Sequence, residues 1–190
     1  MVGAGAHGCW LGRYEKPCVE YFASLIRPGM TAFDVGAHAG YYTLLLSRGV
    51  GPTGRVFAFE ANRNNAANLK RHLELNAITN VEVIEAAVSD RTGTQFFSGG
   101  GYVGHLSNKG EAVATVRLDD YPRPDLVKMD IEGAETAALR GATAILGEGK
   151  TVWFVAVHAG APYTECPALL TSNGYAIDWI TREELCAQPR

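Results

Sequence analysis

What is missing from this sequence narrows its function before any motif is considered. No apolar run approaches the ~20 residues that cross a bilayer as a helix, so nothing in the chain reads as a membrane span. Residues 1–10 carry no basic segment and no sustained apolar stretch, so they do not read as a secretory signal. The expectation is a cytoplasmic protein. An excess of positive charge is also missing: 17 Lys and Arg stand against 20 Asp and Glu, for a formal net charge of -3. That balance disfavours nucleic acid as a partner, although a local basic patch can hide inside such totals. The four cysteines, Cys9, Cys18, Cys166 and Cys186, lie far apart and form no C-x-x-C pair. They fit reduced thiols, and leave only a bridge between the chain ends open. There is no internal repeat, no low-complexity tail and no dividing linker. At 190 residues the chain reads as a single domain over residues 1–190 with a core of its own. Residues 1–12, rich in Gly and Ala, are expected to be loosely docked or flexible.

The stretch from Thr31 to Thr43 organises the rest. Ala32, Phe33 and Val35 suit a strand covered on both faces, and Gly36 and Gly40 bracket a tight turn. Glycine there permits positive φ and close approach of a ligand to the backbone. Tyr41, Leu44 and Leu45 then begin a helix, whose free N–H groups suit an anionic or carboxylate-bearing ligand. The dinucleotide fingerprint G-x-G-x-x-G is absent: His38 stands where a second glycine falls. Asp34, two positions before Gly36, would repel a pyrophosphate. A ligand with an ammonium group and ribose hydroxyls but no phosphate fits better, and S-adenosylmethionine has those features. A turn glycine pair of any α/β protein is the plainer reading.

The remaining elements alternate. A helix is expected over 14–26, stopped by Arg27, Pro28 and Gly29. A second strand runs from Arg55 to Glu60. Glu60 lies 20 residues after Gly40, near the offset at which βαβ nucleotide folds place a ribose-binding acid. Asn62 suits the N-cap of the next helix, and Val81 to Glu85 alternate as a third strand. Ala86, Ala87 and Val88 follow, small enough for an adenine ring to lie against the backbone, or simply for a tight strand exit. Residues 94–97 and 112–116 read as short strands around a loop at 98–110 with five glycines, a substrate lid or a plain linker. A strand ends in Asp130 and Glu132, then comes a helix lined by Ala134, Ala137, Ala138, Gly141 and Ala142. The strand from Thr151 ends in His158. A helix over 162–173, closed by Gly174, and a strand over 175–180 complete the pattern.

Parallel strands deliver the glycine turn, Glu60, Ala86 to Val88, Asp130 with Glu132, and His158 to one sheet edge, where open α/β sheets bind ligands. Methyl transfer from a sulfonium needs alignment and often removal of a proton from the acceptor. His158 suits a base by its ordinary pKa. Asp130 and Glu132 suit a base, an orienting group or a contact to the methyl donor. The plainer readings are a hydrogen-bonded core histidine for His158 and helix N-terminal charge compensation for Glu132. The same trio also suits a divalent metal, though no metal ligand is assigned.

These residues carry a resemblance. Residues 33–45, 56–60, 87–90 and 118–121, and above all the segment Asp125 to Glu135 with its D-x-E-G-x-E pattern, resemble the FkbM family of S-adenosylmethionine-dependent methyltransferases. The likeness covers roughly residues 12–180. It implies a class I, Rossmann-like α/β fold: a mostly parallel central sheet with helices on both faces. It implies S-adenosylmethionine as cofactor and O-methylation of a hydroxyl on a sugar or natural-product small molecule. By the same resemblance Asp34, Gly36, Gly40 and Glu60 hold the cofactor and Asp130 lies near its methionine end; the residues themselves add His38, Ala61, Ala87 and Val88 as candidate cofactor contacts and His158, Asp130 and Glu132 as the catalytic candidates. The alternatives are N-methylation of RNA or protein, and a non-catalytic nucleoside-binding module. Two departures stand out. The family often has a glutamate two positions before the strand-end histidine, where this chain has Ala156, which weakens a Glu–His pair on that strand. Little sequence also remains after Trp179 for the usual C-terminal hairpin, so a truncated hairpin, or a sheet edge completed by a second copy in a homo-oligomer, is expected.

Overall fold

A computed structural model describes residues 16–98, 105–107 and 109–190. Its main sheet has seven strands: β1 (Thr31–Val35), β2 (Arg55–Phe59), β3 (Val81–Ile84), β8 (Leu126–Met129), β9 (Val152–Ala156), β10 (Tyr175–Trp179) and β11 (Glu184–Pro189), in the order β10-β11-β9-β8-β1-β2-β3. All neighbours from β3 to β9 are parallel. The chain steps outward from β1 to β3 and returns on the other side at β8, so the switch point lies between β1 and β8. A second sheet, β4-β7-β5-β6, is built from β4 (Ala87–Val88), β5 (Gly93–Ser98), β6 (His105–Ser107) and β7 (Glu111–Val116).

Alternation along the strands explains the two covered faces. Phe33, Val35, Phe57, Phe59, Val127, Met129, Trp153 and Val155 point to one side. There they meet α4 (Glu135–Arg140), α5 (Thr143–Glu148) and α6 (Ala161–Ser172) through Ala138, Leu139, Ile145, Leu146, Cys166 and Leu170. Ala32, Val56, Leu126, Phe154 and Cys186 point to the other side. They pack on Cys18 and Phe22 of α1 (Lys16–Leu25) and on Tyr42, Leu46 and Val50 of α2 (Tyr41–Val50). Leu69 and Leu73 of α3 (Arg63–Leu75) seat that helix over Ala37 and Ala58. Asn62 is the N-cap of α3, accepting from the N–H groups of Asn64 and Asn65. Cys18, Cys166 and Cys186 are buried. Among the described residues no helix is long and apolar enough to cross a membrane.

Three expectations need correction. The C-terminal hairpin is complete. Residues 184–189 form β11, which inserts antiparallel between β9 and β10. Leu185 is fully buried there and faces Val155 and Trp179. The segment escaped notice because its apolar residues, Leu185, Cys186 and Ala187, are consecutive and short, and its burial comes from strands on both sides. The presumed loop at 98–110 contains a strand, β6, paired with β5; most of that loop lies outside the described residues, as do residues 1–12. The single small-residue helix after β8 is two, α4 and α5, broken at Gly141. A Cβ on Gly141 would lie 2.1 Å from the Ser89 carbonyl oxygen.

If β11 is an integral strand, Leu185→Ala should cost about 2–5 kcal/mol, as for a large-to-small change in a core. A urea titration reads this as a lower midpoint at unchanged slope. An unchanged midpoint would place the hairpin outside the cooperative unit.

Candidate functional site

The strand ends are level. Val35 pairs with Phe59 and with Met129, and Met129 pairs with Val155. The next residues, Gly36, Glu60, Asp130 and the run to His158, therefore emerge at one edge. The bonding continues past the strands: Gly36 and Ala37 N–H both donate to the Phe59 carbonyl (3.0 Å each), and Asp130 N–H donates to the Val35 carbonyl (2.9 Å). Gly36 has φ 83° and Gly40 φ 94°. A Cβ on Gly36 would lie 1.9 Å from the Asp130 carbonyl oxygen, and one on Gly40 would lie 2.5 Å from Leu69. Both glycines are thus required by conformation and by space. His38, in the same turn, also has positive φ, at 50°.

Glu60 closes the turn from below. Its carboxylate accepts from His38 N–H and from Asn62 N–H, each at 2.7 Å. Burial pushes its pKa up, against the opposing pull of those two N–H bonds. The Asn65 side chain also hydrogen-bonds to the Glu60 carboxylate, and a carboxylate with three such bonds keeps capacity for a further donor. Ala61 and Asn62 continue from Glu60 into a cavity of about 540 Å³ whose far wall is Phe97, Ser98 and Glu111. That wall, supplied by β5 and β7, carried no signal in the sequence because it depends on how the second sheet docks. Ala87 is half-buried, while Val88 is in the core.

Asp34 is fully buried. Its Oδ2 accepts from the Thr43 hydroxyl at 2.5 Å, and its Oδ1 lies 3.9 Å from Lys128 Nζ. Burial pushes its pKa up, and Lys128 and Thr43 pull the other way. Lys128 sits directly opposite Asp34 in the β1–β8 register, lies 3.5 Å from Asp130 and covers the Tyr42 ring at 4.8 Å. Sequence reading passed over Lys128. The available signal was a lysine inside a four-residue strand that is otherwise apolar.

At the other side of Asp130 lies an acidic cluster around a histidine. His158 Nδ1–H donates to Glu135 Oε1 at 2.8 Å, and His158 Nε2 is 3.4 Å from Glu132 and 3.7 Å from Asp130. Desolvation works against protonation of His158. The hydrogen bond to Glu135 and the charges of Glu135, Asp130 and Glu132 outweigh it, so its pKa is raised. Glu135 is fully buried and also accepts from the N–H groups of Ile131 (3.3 Å) and Gly133 (3.1 Å). It thereby shapes the turn in which Glu132 takes a positive φ of 54°. The three proposed catalytic residues thus come together. The residue that organises them, Glu135, closes the D-x-E-G-x-E segment, where the sequence alone reads only as acidity in the first turn of a helix. A Glu–His pair does form, with its glutamate on α4 rather than on β9.

Comparison with known proteins agrees with this architecture. The Methyltransferase FkbM domain matches residues 34–182. A methyltransferase FkbM from Methylobacillus flagellatus KT superposes with TM-score 0.66 at 20% identity, covering 94% of this chain and 52% of that one. This chain therefore spans about half the length of that protein. An rRNA-methylase, so described, from Clostridium thermocellum superposes with TM-score 0.60 at 16% identity, covering 89% and 90%. An Aeropyrum pernix fibrillarin with natively bound S-adenosyl-L-methionine gives TM-score 0.57 at 15% identity, covering 85% and 66%. At these identities the superpositions speak for the fold. No curated protein sequence matches the chain.

The buried Asp34–Lys128 contact generates a stability prediction. Lys128→Met leaves Asp34 as an uncompensated buried carboxylate, a change expected to cost about 3–5 kcal/mol. Adding Asp34→Asn should recover most of it. Urea unfolding of the single and double variants checks this; equal stability of Lys128→Met and the parent would show that the pair contributes nothing.

Proposed function

The chain belongs to the FkbM methyltransferase family, and from that premise we propose that it transfers a methyl group from S-adenosylmethionine to a hydroxyl of a small-molecule acceptor. The observation that carries this reading is the His158 imidazole, held on Nδ1 by the buried Glu135 and turned on Nε2 toward Asp130 and Glu132, with one strand, β8, between it and the glycine turn. An alcohol oxygen attacks poorly while it keeps its proton, so a group that deals with that proton belongs beside the methyl. A nucleoside-binding module has no use for one, and a neutral amine acceptor has less.

The residues present fit the cofactor. Glu60 offers ribose hydroxyls the acceptor capacity left by His38, Asn62 and Asn65. The turn from Gly36 to Gly40 has no side chain at the two places where the backbone comes closest to its neighbours. The cavity beside Ala61 and Asn62 provides room for the adenine end. The Asp130 carboxylate complements the positive ammonium and sulfonium groups. Asp34, buried and engaged by Thr43 and Lys128, acts by holding the turn and α2 together.

When bound, S-adenosylmethionine supplies an activated methyl: the acceptor O–CH₃ bond forms as the S–CH₃ bond breaks, its electron pair returns to sulfur, and the hydroxyl proton leaves. The chain aligns the reactants. Glu135 fixes the His158 ring, and Asp130, Glu132 and His158 Nε2 form the surface on which the acceptor hydroxyl rests and loses its proton. In the simplest form His158 Nε2 takes that proton.

Glu60→Ala should weaken S-adenosylmethionine binding by about 1.5–3 kcal/mol, the loss of hydrogen bonds to a charged group. That is about ten- to hundredfold in Kd by calorimetry. Unchanged affinity would remove Glu60 from the ribose site. His158→Ala should leave donor affinity within about twofold while turnover with a hydroxylated acceptor falls by about a hundredfold or more. Preserved turnover would show that the cluster is not where the acceptor proton is handled.

A further inference from the structure

The cluster described above also has the donor set of a cation site. Asp130, Glu132 and His158 each present one ligand atom, and all three atoms lie within 4.8 Å of one another. Two carboxylate oxygens and one imidazole nitrogen form a three-point set that leaves the remaining positions of an ion open. Those positions face solvent, since the three side chains keep between 33% and 44% of their surface exposed.

Neighbouring acids alone would say little, but Glu135 adds an independent observation. It is fully buried, and its Oε1 holds His158 Nδ1 at 2.8 Å. A carboxylate on the far nitrogen is the outer-shell arrangement that fixes a metal-binding imidazole in the tautomer whose Nε2 lone pair is free to ligate. Glu135 Oε2 is buried without a hydrogen-bond partner, so the carboxylate whose Oε1 holds His158 is not fully compensated. The charge balance points the same way. Asp34, Asp130, Glu132 and Glu135 crowd one permanent cation, Lys128, whose ion pairs among the described residues are with Asp34 and Asp130. Glu132 and Glu135 are left to the imidazole.

We propose that Asp130, Glu132 and His158 Nε2 bind one divalent cation of the Mn²⁺ class, with Glu135 as the positioning residue. The imidazole ligand favours such an ion over Ca²⁺, whose preference is for oxygen. This rests on the methyl-transfer reading and deepens it. The open positions of the ion receive the acceptor hydroxyl, whose proton is then lost more readily to solvent, and His158 serves as a ligand rather than as the base.

The test titrates the whole chain with Mn²⁺, read by electron paramagnetic resonance of the free ion, beside calorimetry with S-adenosylmethionine. One saturable Mn²⁺ per chain is expected. Glu132→Gln, an exposed and fold-neutral change, should weaken it tenfold or more, and Glu135→Gln by about 10- to 100-fold, both with unchanged donor affinity. EDTA should abolish turnover and spare donor binding, and added Mn²⁺ should restore turnover. The proposal is overturned if no saturable Mn²⁺ binding occurs, if Glu132→Gln leaves it unmoved, or if turnover persists in EDTA. In each case methyl transfer with His158 as base survives. Failure of S-adenosylmethionine to bind overturns the methyl-transfer reading instead, and the Mn²⁺ titration still decides the ion separately.

Discussion

The site depends on one close approach: the Gly36 α-carbon against the carbonyl of Asp130. A side chain there would sit 1.9 Å from that oxygen, so only glycine lets β1 leave the sheet while β8 ends beside it. The contact joins the glycine turn at the strand-end crevice to the residue that begins the acidic cluster. Level register does the rest. With Val35, Phe59, Met129 and Val155 in line and strands about 4.8 Å apart, the turn, Glu60, Asp130 and His158 fall within a few strand spacings without any long loop to carry them. The crevice is therefore a property of the sheet rather than of flexible connections.

Electrostatics then separate two kinds of acid at that edge. Asp34 and Glu135 are fully buried and face inward partners: Thr43 and Lys128 for the first, His158 and two backbone N–H groups for the second. Their burial is tolerable because each is charge-compensated or hydrogen-bonded. Asp130 and Glu132 keep a third or more of their surface in solvent and face what enters. Glu60 is intermediate: nearly buried, braced by two N–H groups and still able to accept. Lys128 serves both kinds, lying between Asp34 and Asp130. The inward acids hold the geometry, and the outward ones line the strand-end crevice.

Much of this was legible in the residues. The alternation of Phe33 and Val35 with Ala32 and Asp34 announces a strand covered on both faces, and the glycines at 36 and 40 announce the turn. Asn62 reads as a cap because its side chain reaches N–H groups two and three residues on. The offset of Glu60 from Gly40 reads as a site because a βαβ unit has a nearly constant length. Less legible were Lys128, which looks like a stray charge in an apolar strand, and Glu135, which looks like ordinary acidity in the first turn of a helix. Ala156 weakens a Glu–His pair on the strand itself, and the pair that forms reaches across 23 residues of sequence to a helix instead.

The amino-acid sequence by itself determined the strand-turn-helix units, their caps and the acids at their ends. Those depend on neighbours within a few positions, where period and turn chemistry act. Only the tertiary structure decided that Glu135 holds His158, that Lys128 lies between two aspartates, and that residues 184–189 slot between β9 and β10. Each of those follows from the register or packing of segments far apart in the chain, and no local pattern encodes which distant partner a side chain meets.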